Sequence, residues 1–166
     1  MKYQFITIII LLTSTIAANE RPSLINNMAP QFTLLDQYNK PYNIAQDQGK
    51  IILLLASDAE GAKQNRAWVE NIDNRYNHRI PIVGIADVRQ VPRPLKALAR
   101  KEFKKTPVSI LLDWNGDVFI SYGLVKKLAN IVLIDKKGVV RYMYSGAATA
   151  TSCAILFREI DKLDNE

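Results

Sequence analysis

The sequence predicts a single α/β domain, and three observations indicate this class. Apolar runs typical of buried strands alternate along the chain with amphipathic segments of helical period. Residues 51–55 are all isoleucine or leucine, which is typical of a central strand covered by helices on both faces. The 166 residues, 48% hydrophobic and 23% charged, have the length and composition of one globular domain with one core.

Residues 1–18 have the pattern of an export signal. Lys2 provides the positive start, residues 5–12 form an apolar run broken only by a threonine, and Ala17 and Ala18 are the small residues that a signal peptidase requires. Because a membrane span takes about 20 apolar residues, we expect cleavage after Ala18 rather than insertion. The expected organisation is a signal peptide over residues 1–18, a polar leader over 19–28 and a folded domain over 29–166, exported to a bacterial periplasm.

The first part of the folded domain predicts a hairpin followed by the central strand. Residues 28–36 are predicted to form a first strand and residues 41–44 its return, with a turn between them. The central strand follows at residues 50–56, and Ser57 or Asp58 can cap the next helix by accepting hydrogen bonds from its first N–H groups. Six positions of that helix lie near steps of three and four, and five of the six can face a core: Ala62, Asn65, Trp68, Val69, Ile72 and Tyr76.

The middle of the chain predicts a second strand, a helix and a third strand. Residues 80–86 have the apolar content of a second buried strand, and residues 108–112 that of a third. Between them, Pro92 and Pro94 block regular helix and strand, after which apolar residues recur at helical spacing until near Lys105. These apolar residues are Leu95, Leu98, Ala99 and Phe103.

The C-terminal part predicts a turn and a second hairpin. Asn115 and Gly116 lie in a tight turn, since this pair tolerates the positive φ that such turns require. Residues 117–122 fit either a strand or a short helix. Residues 130–135 and 139–144 are predicted to pair as a hairpin.

Cys153 is the only cysteine, so the chain cannot form an internal disulfide. A last helix, predicted to begin near Thr149 or Thr151, places it on an apolar face with Leu156, Phe157, Ile160 and Leu163. In that setting a cysteine behaves as a small buried hydrophobe. A position near a helix N-terminus would lower the pKa of the thiol, so a reactive cysteine is the alternative interpretation.

Four segments of the chain carry the pattern of a known superfamily. They are residues 29–36 (APQFTLLD), 51–57 (IILLLAS), 111–118 (LLDWNGDV) with 122–124 (YGL), and 131–140 (IVLIDKKGVV). In this order they resemble the redoxin branch of the thioredoxin-fold superfamily, which includes thioredoxin-like thiol oxidoreductases and peroxiredoxins. The resemblance implies a central mixed β-sheet with helices on both faces, an N-terminal β-hairpin, and a reactive group at the start of the helix after the central strand.

Two further segments narrow the resemblance. Residues 135–138 (DKKG) lie at the turn of the second hairpin, and residues 145–147 (SGA) precede a final helix that begins with threonine. Both resemble the YtfJ-type exported proteins, which are redoxin-like and lack the cysteine motif.

The chain lacks sulfur where this superfamily carries it. Aligning residues 51–57 on the central strand places Ala59 and Ala62 at the two cysteine positions of a CxxC motif. Only a cysteine thiolate attacks a disulfide or a peroxide, and residues 1–152 contain no cysteine. The cis-proline of the superfamily falls at Ala129, where a cis bond would cost about 2.5–4 kcal/mol, so we expect a trans bond. The resulting pseudo-active site, without a catalytic residue, consists of Ser57, Asp58, Ala59, Glu60, Gly61, Ala62 and Ala129.

The polar residues of this region allow two interpretations. Asp58 and Glu60 could act as a general acid and base, but acidic residues at a helix start also complement the helix dipole, which is the interpretation we favour. His78, the single histidine, has no further ligands at the spacing of a metal site. The chain also has no phosphate-binding loop or dinucleotide fingerprint. We therefore expect neither a metal nor an organic cofactor.

Residues 87–105 carry the basic excess of a chain whose net charge is +6. The basic residues of this segment are Arg89, Arg93, Lys96, Arg100, Lys101, Lys104 and Lys105, which we call the basic patch. Such a patch can attract an acidic protein surface or anionic lipids, and it can equally be a solvated helix face. We expect no nucleic-acid partner, because an exported protein without interleaved surface aromatic residues lacks that signature.

The sequence therefore predicts an exported thioredoxin-fold protein that is a non-catalytic binding or accessory module for an unknown protein partner or acidic surface. One alternative is a weak thiol-dependent oxidoreductase or peroxidase that uses Cys153. The other is peripheral binding to anionic membranes through the basic helix.

Overall fold

The computed structural model describes residues 23–165, so the predicted signal peptide and the first part of the leader lie outside the described residues. The described strands are β1 (Thr33–Leu35), β2 (Pro41–Asn43), β3 (Ile52–Ser57), β4 (Ile82–Asp87), β5 (Ile110–Asp113), β6 (Asn130–Ile134) and β7 (Val140–Ser145). The described α-helices are α1 (Asn65–Tyr76), α2 (Lys96–Phe103), α3 (Asp117–Ser121) and α4 (Ala150–Asp164). Short 3-10 segments cover Ile44–Asp47, Gly61–Gln64 and Arg93–Leu95.

Five of the strands form one mixed sheet in the order β5-β4-β3-β6-β7. Strands β3, β4 and β5 are parallel, whereas β6 is antiparallel to both β3 and β7. Strands β1 and β2 form a separate antiparallel hairpin. The arrangement confirms the predicted α/β class, with a central mixed sheet and an N-terminal hairpin.

Strand β3 is buried along its whole length, as its apolar run predicts. Because successive side chains of a strand point to opposite faces, Leu53 and Leu55 pack with α1 and α4, on what we call the first face of the sheet. Leu54 and Ala56 pack on the second face, with α3 and the N-terminal hairpin. One strand thus contributes to both cores, which explains why no polar residue interrupts it.

Helix α1 packs on the first face through residues that its spacing predicts. Trp68, Ile72 and Tyr76 are buried. The Trp68 indole also donates a hydrogen bond from Nε1 to the carbonyl oxygen of Gly146 at 2.9 Å. This bond links α1 to the segment that follows β7.

Helix α4 begins after Thr149, one of the two predicted starts. The Thr149 hydroxyl accepts a hydrogen bond from the Ser152 N–H at 3.1 Å, and the Ser152 hydroxyl accepts one from the Thr149 N–H at 2.9 Å. This reciprocal cap satisfies two N–H groups that the helix start leaves free. The predicted apolar face is buried except at Phe157, which is half-buried beside Tyr76 at a ring distance of 5.7 Å.

One prediction of burial is wrong. Strand β4 is predicted to be buried, but only Ile85 among its residues is fully so. Helix α2 forms where its periodicity predicts, and it has no buried residue. Leu98 on the helix is 56% exposed, and Leu95, in the 3-10 segment before it, is 48% exposed. Lys96 and Arg100 of this helix lie over the Trp114 ring, at 4.7 and 5.8 Å from the ring centre.

The ambiguous segment after the Asn-Gly turn is a helix. The carboxylate of buried Asp113 accepts hydrogen bonds from the N–H groups of Gly116, Asp117, Val118 and Phe119 at 2.8–3.3 Å. These contacts satisfy the N–H groups at the start of α3 and favour helix over strand. The glycine has a φ of +78°, as the tight turn requires.

The beginning of the described chain pairs with the sheet. The N–H of Asn26 donates to the carbonyl oxygen of Val140 at 2.8 Å, and Met28 bridges to Val139. Among the described residues, no helix combines the length and the apolar character needed to cross a membrane.

Two leucines provide a matched test of the packing. Leu54 is 1% exposed in the second-face core, whereas Leu98 is 56% exposed on α2. We expect Leu54→Ala to lower the free energy of unfolding by about 2–5 kcal/mol, because it leaves a cavity. We expect Leu98→Ala to change it by less than about 0.5 kcal/mol. Urea denaturation measures both values, and a large loss in Leu98→Ala would contradict the exposed position of α2.

Candidate functional site

The pseudo-active site begins where β3 ends, and Asp58 organises it. Its Oδ1 atom accepts hydrogen bonds from the N–H groups of Glu60 and Gly61 at 3.1 and 2.8 Å. Its Oδ2 atom accepts one from the N–H of Lys127 at 2.8 Å. The carboxylate thus caps the 3-10 turn before α1, as one of the two predicted capping residues. It also ties that turn to the loop before β6.

The surroundings of Asp58 favour the ionised carboxylate. Burial opposes ionisation, but the backbone donors of Gly61, Lys127 and Glu60, with the charge of Lys126 nearby, hold the pKa of the Asp58 carboxyl below its usual value. The residue is therefore charged at neutral pH and is occupied with three backbone partners.

The backbone of Gly61 lies directly against the peptide of Leu128. A Cβ atom at Gly61 would overlap the carbonyl oxygen of Leu128, so only glycine fits this contact. Beside it, the N–H of Ala129 donates to Oε1 of Gln64 at 3.2 Å. No peptide bond of residues 23–165 is cis, so the bond before Ala129 is trans. The loop at the former cis-proline position is thus closed onto the start of α1.

The side chain of Asn130 also holds the loop before β6. The sequence analysis did not single out this residue. This residue is 1% exposed. Its Nδ2 atom lies 2.9–3.1 Å from the carbonyl oxygens of Ala56, Val125 and Leu128, and its Oδ1 atom accepts from the Val125 N–H and the Ser145 hydroxyl. The available signal was a lone amide at the start of an apolar strand, because a buried polar side chain must find partners.

An open cleft adjoins the pseudo-active site at residues 57–59 and Ala62. Ala59 and Ala62, which the sequence analysis aligns with the two cysteines of a CxxC motif, line it. The cleft has a volume of about 610 Å³ and continues along β4 and β5 on the first face of the sheet. Near its start the Asn65 amide donates to the Ser57 hydroxyl at 2.8 Å, while Asn65 Oδ1 is buried without a hydrogen-bond partner in the described structure.

Comparison with known proteins identifies the family. The family model described as AhpC/TSA matches residues 25–143. The chain belongs to the AhpC/TSA family. No curated protein matches the chain.

Solved structures show the same fold at low identity. A pneumococcal exposed lipoprotein thioredoxin from Streptococcus pneumoniae is 17% identical, with a TM-score of 0.63 over 80% of this chain and 99% of that one. A reduced 2-Cys peroxiredoxin from Plasmodium vivax is 18% identical, with a TM-score of 0.61 over 86% and 98%. The thioredoxin domain of a thiol-disulfide oxidoreductase from Bacteroides vulgatus is 18% identical, with a TM-score of 0.60 over 82% and 96%. The fold is therefore that of a thioredoxin-like redoxin.

This AhpC/TSA family member has one cysteine, which packs in the first-face core. Cys153 is 5% exposed and lies in the same cluster as Trp68 and Ala129. Burial raises the pKa of the Cys153 thiol. The reactive thiolate is therefore disfavoured at neutral pH, although the residue is close to the start of α4.

The remaining carboxylates and the histidine form local pairs. Glu60 is exposed and pairs with Lys63 at 2.9 Å, so it does not converge with Asp58 on a common point. His78 lies 3.0 Å from a carboxylate oxygen of Asp73. Within residues 23–165 there is no cluster of three or more histidine, cysteine, aspartate or glutamate residues that could hold a metal ion.

The basic patch divides into anchored and exposed residues. Arg89 forms a bidentate pair with Asp87 at 2.6 and 2.9 Å, and Lys105 pairs with Glu102 at 2.6 Å. The anchored group also includes Lys96 and Arg100, on the Trp114 ring, and Lys104, 5.7 Å from the centre of the Tyr38 ring. Arg93 and Lys101 form no ion pair within the described part of the chain.

Removal of the Asp58 charge tests whether this carboxylate stabilises the contact between the 3-10 turn before α1 and the loop before β6. The folded pKa lies below the unfolded value of about 3.9, so the stabilisation is present above that value and is lost as the pH falls through the folded pKa. We expect Asp58→Asn to lower the free energy of unfolding at pH 7 by about 1–3 kcal/mol, because charge-assisted hydrogen bonds are weakened.

Urea denaturation across the acid range measures this effect. The original protein and Asp58→Asn should converge in stability at pH values below the folded pKa. The control is Asp164→Asn, which changes an exposed carboxylate near the end of α4 and should leave the difference between neutral and acid pH unaltered. An Asp58→Asn protein as stable as the original at pH 7 would show that the Asp58 carboxylate does not stabilise this contact.

Proposed function

We propose that this AhpC/TSA family member is a non-catalytic binding or accessory module. The observation that carries the proposal is that alanine occupies both positions that align with the cysteines of a CxxC motif. Ala59 and Ala62 have no sulfur to ionise and line an open cleft instead. The place where the fold performs thiol chemistry is thus available as a binding surface.

The closed loop at Ala129 supports the same proposal. In this fold the cis-proline loop holds substrate backbone beside the thiol, whereas here the Ala129 N–H is bonded to Gln64 and the Leu128 peptide is covered by Gly61. The Ala129 N–H, a group that proline lacks, is therefore satisfied within the chain, and the Leu128 peptide is in contact with Gly61. Both the thiol and its substrate clamp are replaced together.

We further propose that the protein is exported to a bacterial periplasm and is of the YtfJ type. Export rests on the charged start, apolar run and small residues of positions 1–18. The YtfJ likeness rests on residues 135–138 and 145–147 and on the missing cysteine motif. Detection of the processed chain beginning at Asn19 in a periplasmic fraction tests the export proposal.

Thiol reactivity separates this proposal from an enzyme that uses Cys153. We expect a chromogenic disulfide reagent to label Cys153 at least about a hundredfold more slowly in the native protein than in urea, because a thiol only 5% exposed reacts after local opening. We also expect no turnover of hydrogen peroxide or of a protein disulfide, with Cys153→Ser equal to the original protein. Rapid native labelling together with turnover that Cys153→Ser abolishes would overturn the non-catalytic proposal.

A second candidate function is peripheral binding to anionic membranes, and the exposed surface of α2 favours it. Leu95 and Leu98 are 48% and 56% exposed, and Val108 is 61% exposed. Lys101 and Arg93, in the same segment, form no ion pair among the described residues. Exposed leucines beside unpaired cations are the combination that interfacial helices use on anionic lipid.

Sedimentation with vesicles tests the membrane candidate. We expect the protein to bind phosphatidylglycerol vesicles at low salt and to lose most of that binding at high salt, since surface charges are screened. Leu98→Ser with Lys101→Ser should weaken binding by about tenfold, because an interfacial cation contributes about 1 kcal/mol and the leucine adds apolar area. The control Ile120→Ser changes an isoleucine that is 65% exposed on α3. An absence of binding at low salt would eliminate this candidate.

A further inference from the structure

The cleft beside the pseudo-active site lies over the half of the first face that helices leave uncovered. Helix α1 forms one wall, and the chain between β4 and β5 forms the other. Ile82, Gly84 and Ala86 of β4 face the cleft beside Ile110 of β5, as their register with Leu53, Leu55 and Ser57 places them on the first face. Two of these floor residues are small, and this leaves the space open. The volume of about 610 Å³ lies within the range of about 300–1,000 Å³ found for small-molecule sites.

The lining is mainly apolar. Val69 contributes from α1, and Phe103 and Val108 contribute from the opposite wall. The length of β4 gives the cleft a floor of roughly 20 Å, at about 3.3 Å for each strand residue. The shape therefore suits an elongated apolar body.

Acidic groups outnumber basic groups in the lining. The cleft is bordered by Asp58, Asp73, Asp87 and His78, and by no lysine or arginine of the described chain. This is the opposite of the protein as a whole, whose net charge is +6. An acidic border on an apolar cleft attracts a cation and disfavours an anion.

The three carboxylates differ in how many hydrogen-bond and charged partners they already have. Asp87 is neutralised by the bidentate contact with Arg89, and Asp58 accepts three backbone N–H groups. Asp73 has a side chain 27% exposed, and the titratable side chain that contacts its carboxylate in the described structure is the His78 imidazole, at 3.0 Å. Asp73 is therefore the carboxylate best able to receive a cationic group.

We propose that this cleft binds a cationic small molecule with an elongated apolar body. The ammonium group lies at Asp73, and the apolar body extends along β4 towards Ala59 and Ala62. The inference rests on the proposed binding function and assigns to it a chemical class of ligand. Burial of the apolar body supplies the main favourable free energy, and the carboxylate selects the sign of the charge.

A pair of probes with the same tail and opposite charge tests the proposal. Dodecylammonium and dodecanoate are titrated into the protein at low salt by calorimetry, both below their micelle-forming concentrations. Because the chain has a net charge of +6, attraction to the whole protein would favour dodecanoate. We expect dodecylammonium to bind more tightly by about tenfold or more, which corresponds to about 1.4 kcal/mol.

Gly84→Val tests the place of binding. A Cβ atom at Gly84 has its nearest neighbours at 3.8 and 3.9 Å, from Ser109 and Ile110, which is ordinary van der Waals contact without a clash. Valine also suits a strand better than glycine does. We expect Gly84→Val to weaken dodecylammonium binding by about tenfold or more through loss of cleft volume, while the melting temperature is unchanged or higher.

Asp73→Asn tests the charge selection, with Glu70→Gln as its matched control on the same helix. Glu70 lies outside the cleft and pairs with Arg66 at 2.6 Å. We expect Asp73→Asn to weaken dodecylammonium binding by about threefold to tenfold and to leave dodecanoate unaffected, as the loss of one exposed charge interaction predicts. We expect Glu70→Gln to change the binding of neither probe.

Three results would overturn the inference. They are dodecanoate binding as tightly as dodecylammonium, Gly84→Val binding as well as the original protein, and Glu70→Gln weakening binding as much as Asp73→Asn. Each leaves the non-catalytic proposal standing, since that proposal fails only on thiol turnover. Conversely, turnover through Cys153 together with selective dodecylammonium binding would retain the cleft ligand and reject the non-catalytic function.

Discussion

The contact between the Gly61 backbone and the Leu128 peptide is the constraint on which the rest of the site depends. It brings the start of α1 and the loop before β6 so close that a side chain at position 61 has no room. Asp58 and Gln64 then bond across the same junction, each to a backbone N–H of the loop. Because these N–H groups are satisfied within the chain, the junction is a structural joint between the start of α1 and the loop before β6. The space that is open to a ligand is the cleft lined by Ala59, Ala62 and residues of β4.

The charges of the molecule are separated in a way that follows from this geometry. Cations concentrate on and around α2, where Lys96 and Arg100 lie over the Trp114 ring and Lys104, just after the helix, lies over the Tyr38 ring. Carboxylates border the cleft on the first face. Since α2 does not close over the small residues Gly84 and Ala86, the sheet keeps an apolar floor exposed beside an acidic border. A basic helix thus lies beside a cleft with an acidic border, since Phe103 of α2 lines that cleft.

Much of the fold was predictable because it depends on short-range pattern. The uninterrupted apolar run of β3 predicts burial on both faces, and the spacing of Trp68, Ile72 and Tyr76 predicts the packed side of α1. The exposure of α2 was not predictable from the same kind of pattern. Leu95 and Leu98 have helical spacing, yet both are exposed, and Lys96 and Arg100 contact Trp114, which lies in a distant segment. The helix α3 was ambiguous for a similar reason, since it depends on Asp113 receiving four N–H groups.

The sequence by itself determined that the chain has no sulfur at positions 59 and 62, since covalent identity does not depend on folding. It also determined the order of strands and helices except at residues 117–122, because hydrophobic period is a local property. Only the tertiary structure decided that Asn130 holds the loop, that Gly61 meets Leu128, and that Cys153 is buried. It alone also decided that a cleft opens over β4. These features join residues far apart in the chain, and their distances are set by how the sheet and helices pack, which no local pattern encodes.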